Sequence, residues 1–165
     1  MDNKELNTKK TEKKETSKKI NMKALKDYNK KFDESIKVEL LDGKYYVNVK
    51  PLISSSDRED IVLKTLDFLR DESIREKIKD VPFIRFILFF ITLNQSDLLE
   101  NIGKPENNSE LLELFTVLLN CDFFTNVLEV IDTNSVEEVY KLFNTVYQTA
   151  ITITGVEDKV ENSEN

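Results

Sequence analysis

The chain has 165 residues and a formal net charge of −7, with 39% hydrophobic and 33% charged residues. This is the length of one ordinary domain, and three glycines with three prolines leave little room for a turn-rich all-β fold. The chain has no histidine and one cysteine, which removes the commonest general base and excludes an intramolecular disulfide and a four-cysteine zinc site. The abundance of lysine, asparagine, isoleucine and glutamate is typical of the AT-rich genes of low-GC bacteria and their viruses. We therefore expect a mainly helical, non-enzymatic protein of the bacterial cytoplasm that needs no metal or cofactor.

Charge is divided unevenly along the chain. Residues 1–31 hold eleven lysines and five acids, whereas the remainder holds 13 basic and 26 acidic residues. We interpret 1–31 as a basic flexible tail, in which Ile20, Leu25, Tyr28 and Phe32 favour a weak short helix that docks on the body. Such an arm suits nucleic acid, an anionic membrane or its own acidic body. The alternative function, nucleic-acid binding, would use Lys9, Lys10, Lys13, Lys14, Lys18 and Lys19.

The segment "SIKVELLDGKYYVNVKP" predicts an antiparallel β-hairpin over residues 36–50. Asp42 and Gly43 suit a two-residue type I′ turn, whose central positions both need positive φ. That turn fixes a register of three pairs that places six apolar side chains on one face: Ile36 with Val49, Val38 with Val47, and Leu40 with Tyr45. Because two strands alone are marginally stable in water, this face is expected to lie on helices or on another subunit.

Two helices should follow the hairpin. Ser56 and Glu59 have the spacing of a capping box, and the apolar face beyond them is formed by Ile61, Val62, Leu66 and Leu69, with Thr65 and Phe68 at its border. A short helix over 72–79 would turn Ile74 and Ile78 inward. Asp80 is the expected cap of the next helix, with Pro82 in its first turn.

The stretch from Phe83 to Leu93 is apolar except for Arg85 and Thr92. Eleven helical residues rise roughly 16 Å, whereas a bilayer core needs about 20 residues, so the stretch is too short to span a membrane. Its apolar side chains occupy every side of the helix, which indicates either a central core helix or a surface for a protein partner. The partner-binding hypothesis names Phe83, Arg85, Phe86, Phe89 and Phe90, together with Tyr46 of the hairpin. We expect Arg85 to pair with an acid on a neighbouring helix, or else to extend outward.

The remaining helices are predicted at about 110–120, at 122–131 and from Ser135, where a second capping box begins. Asp97 is expected to cap a turn before the first of them, and Gly155 to end the last. Cys121 is expected to pack in or beside the core. The predicted fold is a single-domain bundle of about six helices with one N-terminal hairpin, occupying 32–155 and followed by an acidic flexible tail over 156–165.

The hairpin and serine-capped helix, "VELLDGKYYVNVKPLISSSDREDIVLKTLDFL", lead into a bundle that ends in acidic residues. This pattern, over roughly 36–155, resembles small proteins encoded by phages of low-GC Gram-positive bacteria, some of which are tail assembly chaperones. The resemblance implies a protein that binds apolar helical segments of a tail protein and keeps them in solution during assembly. The lysine-rich N-terminus is not part of that pattern.

Overall fold

The computed structural model describes residues 19–121 and 123–161, which form eight helices and one two-stranded sheet. The mainly helical fold with an N-terminal hairpin is confirmed, with eight helices in the described part where the sequence predicted about six. In chain order the elements are α1 (Met22–Lys30), β1 (Ile36–Leu40), β2 (Tyr45–Val49), α2 (Ser55–Arg70), α3 (Glu72–Ile78), α4 (Phe83–Gln95), α5 (Leu98–Ile102), α6 (Asn108–Leu119), α7 (Phe123–Leu128) and α8 (Thr133–Glu161).

The hairpin has the predicted register. Strands β1 and β2 pair antiparallel, with Ile36 opposite Val49 and Leu40 opposite Tyr45. Asp42 and Gly43 have φ values of 58° and 75°, as the turn requires, and Leu41 also has a positive φ of 50°. Only the inner part of the expected apolar face is covered: Val38, Leu40, Val47 and Val49 are buried, whereas Ile36 and Tyr45 are exposed. Helix α7 packs on this hairpin, so the chain itself covers the face.

Helix α4 lies at the centre of the core. It packs against α2, α7 and α8, and its Phe86 and Phe89 are fully buried. Seven of the ten phenylalanines form a continuous cluster of ring contacts around it: Phe68, Phe86, Phe89, Phe90, Phe115, Phe123 and Phe124. From Phe86 to Leu93 the side chains are buried or half-buried, because α2, α7 and α8, together with Phe115 of α6, surround this part of the helix. Its first three residues, by contrast, are exposed.

The connection between α4 and α5 continues the sheet. Val49 and Ser96 form an antiparallel bridge, with the Lys50 N–H donating to the Gln95 carbonyl at 2.8 Å. The Asp97 carboxylate accepts from the backbone N–H of Asn48 at 2.9 Å and from its side-chain amide at 2.7 Å. Asp97 occupies the N-cap position of α5, as expected, but its side chain accepts no helix N–H and instead fixes β2 to this connection.

The helix starts differ from the predicted caps. Ser54, two residues before the predicted Ser56, accepts the Asp57 N–H and begins α2. Asp132 caps α8 in place of Ser135, which is instead buried. Helix α4 begins after Pro82 without a side-chain cap, so the role expected of Asp80 is wrong. Each run offers several residues that can cap, and burial of the neighbouring apolar side chains selects among them.

The short helix expected around Ile20 to Phe32 is present as α1, and α8 extends into the segment assigned to the acidic tail. Helix α1 lies within 1–31, and none of its side chains is buried. Helix α8 runs through Gly155 to Glu161, so Gly155 does not end it. The apolar stripe of α8 is buried at Val139 and Phe143 and half-buried at Val136 and Val146.

Asp71 caps α3 and connects it to α6. Its carboxylate accepts the Ser73 N–H at 2.8 Å and the Asn108 side-chain amide at 2.6 Å. Hydrogen bonds from the Ser73 side chain and from Asn108, followed by the Ser73 backbone, hold the pKa of Asp71 below its usual value. Because the folded pKa is depressed, the stabilisation is present above the unfolded pKa and is lost as the pH falls through the folded pKa.

Asp71→Ala should therefore lower the unfolding temperature at neutral pH, and the difference from the wild type should shrink as the pH falls below about 4. Thermal unfolding of both chains from pH 7 downward measures this. A difference that stays constant over that range would show that the carboxylate charge does not contribute.

Candidate functional site

The predicted partner-binding residues do not form one surface. Phe86, Phe89 and Phe90 are 0%, 0% and 5% exposed, so the hypothesis that they contact a partner is wrong: the ring cluster of the core covers them. Phe83 and Tyr46 are 44% and 55% exposed. They lie on different elements, at the start of α4 and on β2 respectively.

Phe83 contributes to an open apolar groove between α2, α4 and α8, which we call the aromatic groove. Its volume is about 390 Å³, and its lining residues are Leu66, Leu69, Arg70, Phe83, Phe143, Tyr147 and Ala150. The sequence predicted only Phe83 of this lining as a binding residue. Leu66, Leu69, Phe143, Tyr147 and Ala150 lie on the apolar stripes of their helices, and Arg70 was given no role. A partial signal existed in Tyr147, since a tyrosine at the edge of a helical stripe often keeps its hydroxyl in water.

Three stacked rings form the wall of the aromatic groove. The Phe143 ring lies 5.6 Å from that of Phe83, at an interplanar angle of 18°, and 5.8 Å from that of Tyr147, at 10°. Phe143 is buried, but Tyr147 is 42% exposed. The two outer rings thus present apolar surface to solvent, supported from behind by a fixed inner ring.

Arg70, the last residue of α2, is the charged residue among the described residues of the lining. Within the described part of the chain no acid lies within ion-pair distance of its guanidinium, and Arg70 itself is exposed. An apolar groove with one unpaired cation at its side favours an apolar ligand that carries a carboxylate, or the carbonyl end of a helix.

Arg85 lies in a different cavity. This cavity has a volume of about 550 Å³, and its lining residues are Arg85, Leu88, Leu119, Asn120, Cys121, Phe124 and Thr125. Among the described residues no acid lies within ion-pair distance of Arg85, and its side chain is exposed. Asp122, beside this lining in the sequence, lies outside the described residues, so the expected ion pair stays a prediction. Cys121 is half-buried beside the core, and its thiol donates to the Leu118 carbonyl at 3.4 Å, as packing at the boundary predicts.

The lysines of the nucleic-acid hypothesis fall mostly outside the described residues: Lys9, Lys10, Lys13, Lys14 and Lys18. Lys19 is described and exposed.

Over the described ranges, no three acidic or cysteine side chains are grouped closely enough to hold a metal ion. The helices of the same ranges include none with the length and apolarity needed to cross a membrane.

In comparisons with known proteins, the chain matches no family model, no curated protein and no solved structure.

Proposed function

We propose that this protein is a non-catalytic binding protein whose aromatic groove holds an apolar helical segment of another protein. The observation that carries the proposal is the stack of three rings, in which Phe83 and Tyr147 are partly exposed in an open groove on either side of Phe143. Exposed aromatic side chains at a concave apolar surface are typical of protein-binding hot spots, because they bury large area with few rotamers to immobilise.

The chemistry of the lining supports a helical ligand over a small polar one. Among the described lining residues, the side chains other than those of Arg70 and Tyr147 are aliphatic or phenyl groups, which carry no polar group to orient a polar molecule. An amphipathic helix would place its apolar stripe against the three rings. Its C-terminal carbonyls, or an acid beside the stripe, would meet Arg70.

Shielding of such a segment is the role of an assembly chaperone. The resemblance of residues 36–155 to phage assembly proteins points to an apolar helix of a tail protein as the partner. The partner helix binds at the aromatic groove, and the central helix α4 supports that groove from the core.

The experiment compares two charge insertions on α8. Tyr147→Glu places a carboxylate in the groove, whereas Tyr140→Glu places one two turns earlier, at a tyrosine of similar exposure, 38%, that does not line it. Synthetic helical segments from the products of neighbouring genes are titrated against each chain by calorimetry. A segment that binds the wild type should bind Tyr147→Glu at least about tenfold more weakly, since several apolar contacts are lost, and Tyr140→Glu unchanged. Equal affinity for the two variants, or no segment that binds the wild type, would contradict the proposal.

A further inference from the structure

Helix α1 is amphipathic and none of its side chains is buried, although Tyr28 and Asn29 near its end line an open cavity with the start of α2. On its helical wheel Met22, Leu25 and Tyr28 share one half, while Lys23, Lys26 and Lys30 share the other. The apolar three are 67%, 43% and 59% exposed, and Ile20 just before the helix is 75% exposed. An amphipathic helix normally buries its apolar face against a core. The apolar face of α1 is instead exposed, which indicates that a partner covers it.

Local contacts stabilise both ends of the helix. Asn21 caps it by accepting the Ala24 N–H at 2.9 Å. At the other end Tyr28 contacts the ring of half-buried Phe32, and Lys31 lies 3.7 Å from the centroid of the Tyr28 ring. The unpartnered face is therefore a feature of a formed helix.

Charge indicates what covers the face. Residues 19–31 contain five lysines and one acid, Asp27, whose carboxylate is paired with Lys30 at 2.9 Å. This is a strongly basic strip attached to a body that is acidic as a whole. A basic amphipathic helix with a cluster of four to eight lysines has the composition that binds anionic lipid headgroups.

The apolar half and the basic half of α1 together distinguish a lipid bilayer from a nucleic acid as the ligand. A nucleic-acid backbone would use the lysines but would leave Met22 and Leu25 in water, since phosphate contacts need charge and not apolar area. An anionic bilayer uses both halves, because the apolar residues enter the acyl boundary while the lysines remain among the headgroups.

We propose that α1 attaches this protein to the surface of an anionic phospholipid bilayer, lying in the interface with Met22, Leu25 and Ile20 inserted. The attachment is peripheral and involves α1 alone. The acidic body faces away from the headgroups, where charges beyond a Debye length of about 8 Å are screened at physiological salt. This inference is independent of the aromatic groove, which lies on α2, α4 and α8.

The test is sedimentation of the full-length chain with vesicles of phosphatidylcholine, alone or mixed with phosphatidylglycerol, at low and physiological salt. The chain should bind only the vesicles that contain phosphatidylglycerol, and more weakly as salt rises. Met22→Glu with Leu25→Glu should weaken binding at least about tenfold, as should Lys23→Glu with Lys26→Glu. Because α1 buries no side chain, these variants should retain the wild-type unfolding temperature.

Matched controls lie on the body. Leu63→Glu changes an equally exposed apolar residue of α2, at 59%, and Lys77→Glu with Lys79→Glu changes two exposed lysines at α3. Neither control should alter vesicle binding. Binding to neutral vesicles, or binding that survives the Met22 and Leu25 changes, would overturn the proposal. So would no vesicle binding at all, including the case in which the α1 changes abolish DNA binding or self-association instead.

Discussion

Phe89→Ala should lower the free energy of unfolding by about 3–5 kcal/mol, the range for removing a fully buried phenylalanine. Phe89 is 0% exposed, and its ring contacts those of Phe90 and Phe115 at centroid distances of 5.2 and 5.3 Å. Removing the ring leaves a cavity that several other rings line, and a tightly packed cluster cannot collapse to fill it.

Denaturant unfolding of the variant measures this, with Phe83→Ala as the matched control. Phe83 is also a phenylalanine of α4 but is 44% exposed, so its truncation should cost only about 1–2 kcal/mol. If Phe89→Ala proved no more destabilising than Phe83→Ala, α4 would not be the centre of the core.

Gln95→Met should destabilise the fold by about 1–3 kcal/mol, although it barely changes the volume of the side chain. Gln95 is 1% exposed, and its terminal amide lies 3.1 Å from the carbonyl oxygens of both Lys50 and Leu52. Since carbonyl oxygens only accept, the atom facing them is the amide nitrogen, which donates to both. Methionine would leave these two carbonyls without that donor.

Gln95→Glu separates the loss of the donor from a loss of packing. Glutamate has nearly the shape of glutamine but would point a carboxylate oxygen at two carbonyls, so it should destabilise at neutral pH at least as much as methionine does. Chemical denaturation of both variants, compared with the wild type, is the measurement. A glutamate variant as stable as the wild type would show that the amide does not donate to Lys50 and Leu52.

The hairpin shows where sequence alone was sufficient. Asp42-Gly43 and the alternation around it specify the same register, and because a slip by one residue would invert both faces, the two signals reinforce each other. The extent of burial was not predictable in the same way. Ile36 and Tyr45 share the apolar face but are exposed at opposite ends of the hairpin, which the pattern of the strands alone could not reveal.

Helix α4 shows a different limit. Its composition gave two interpretations, core or partner surface, because an all-apolar helix satisfies either. The choice between these two interpretations depends on whether α2, α7 and α8 surround the helix. Those contacts join residues that are far apart in the chain. The helix caps depend on tertiary contacts as well: three consecutive serines can each cap α2, and Ser54 is used beside Ile53, which is fully buried.

The aromatic groove could not have been assembled from sequence. Its lining comes from the end of α2, the first residue of α4 and the middle of α8, and each contribution looks like ordinary core periodicity in its own helix. Only the crossing of the three helices leaves Phe83 and Tyr147 partly exposed on either side of Phe143.

Site-specific photocrosslinking tests the central claim most directly. A benzophenone amino acid replaces Tyr147 in the groove or, as control, Tyr45 at the hairpin, in cells that co-express the neighbouring genes. We predict a crosslink from position 147, but not from position 45, to an apolar helical segment of a second protein, and its loss when Phe83→Glu is added. Crosslinks from position 45 alone, equal crosslinks from both positions, or none from position 147 would contradict the assignment of the aromatic groove as the binding site.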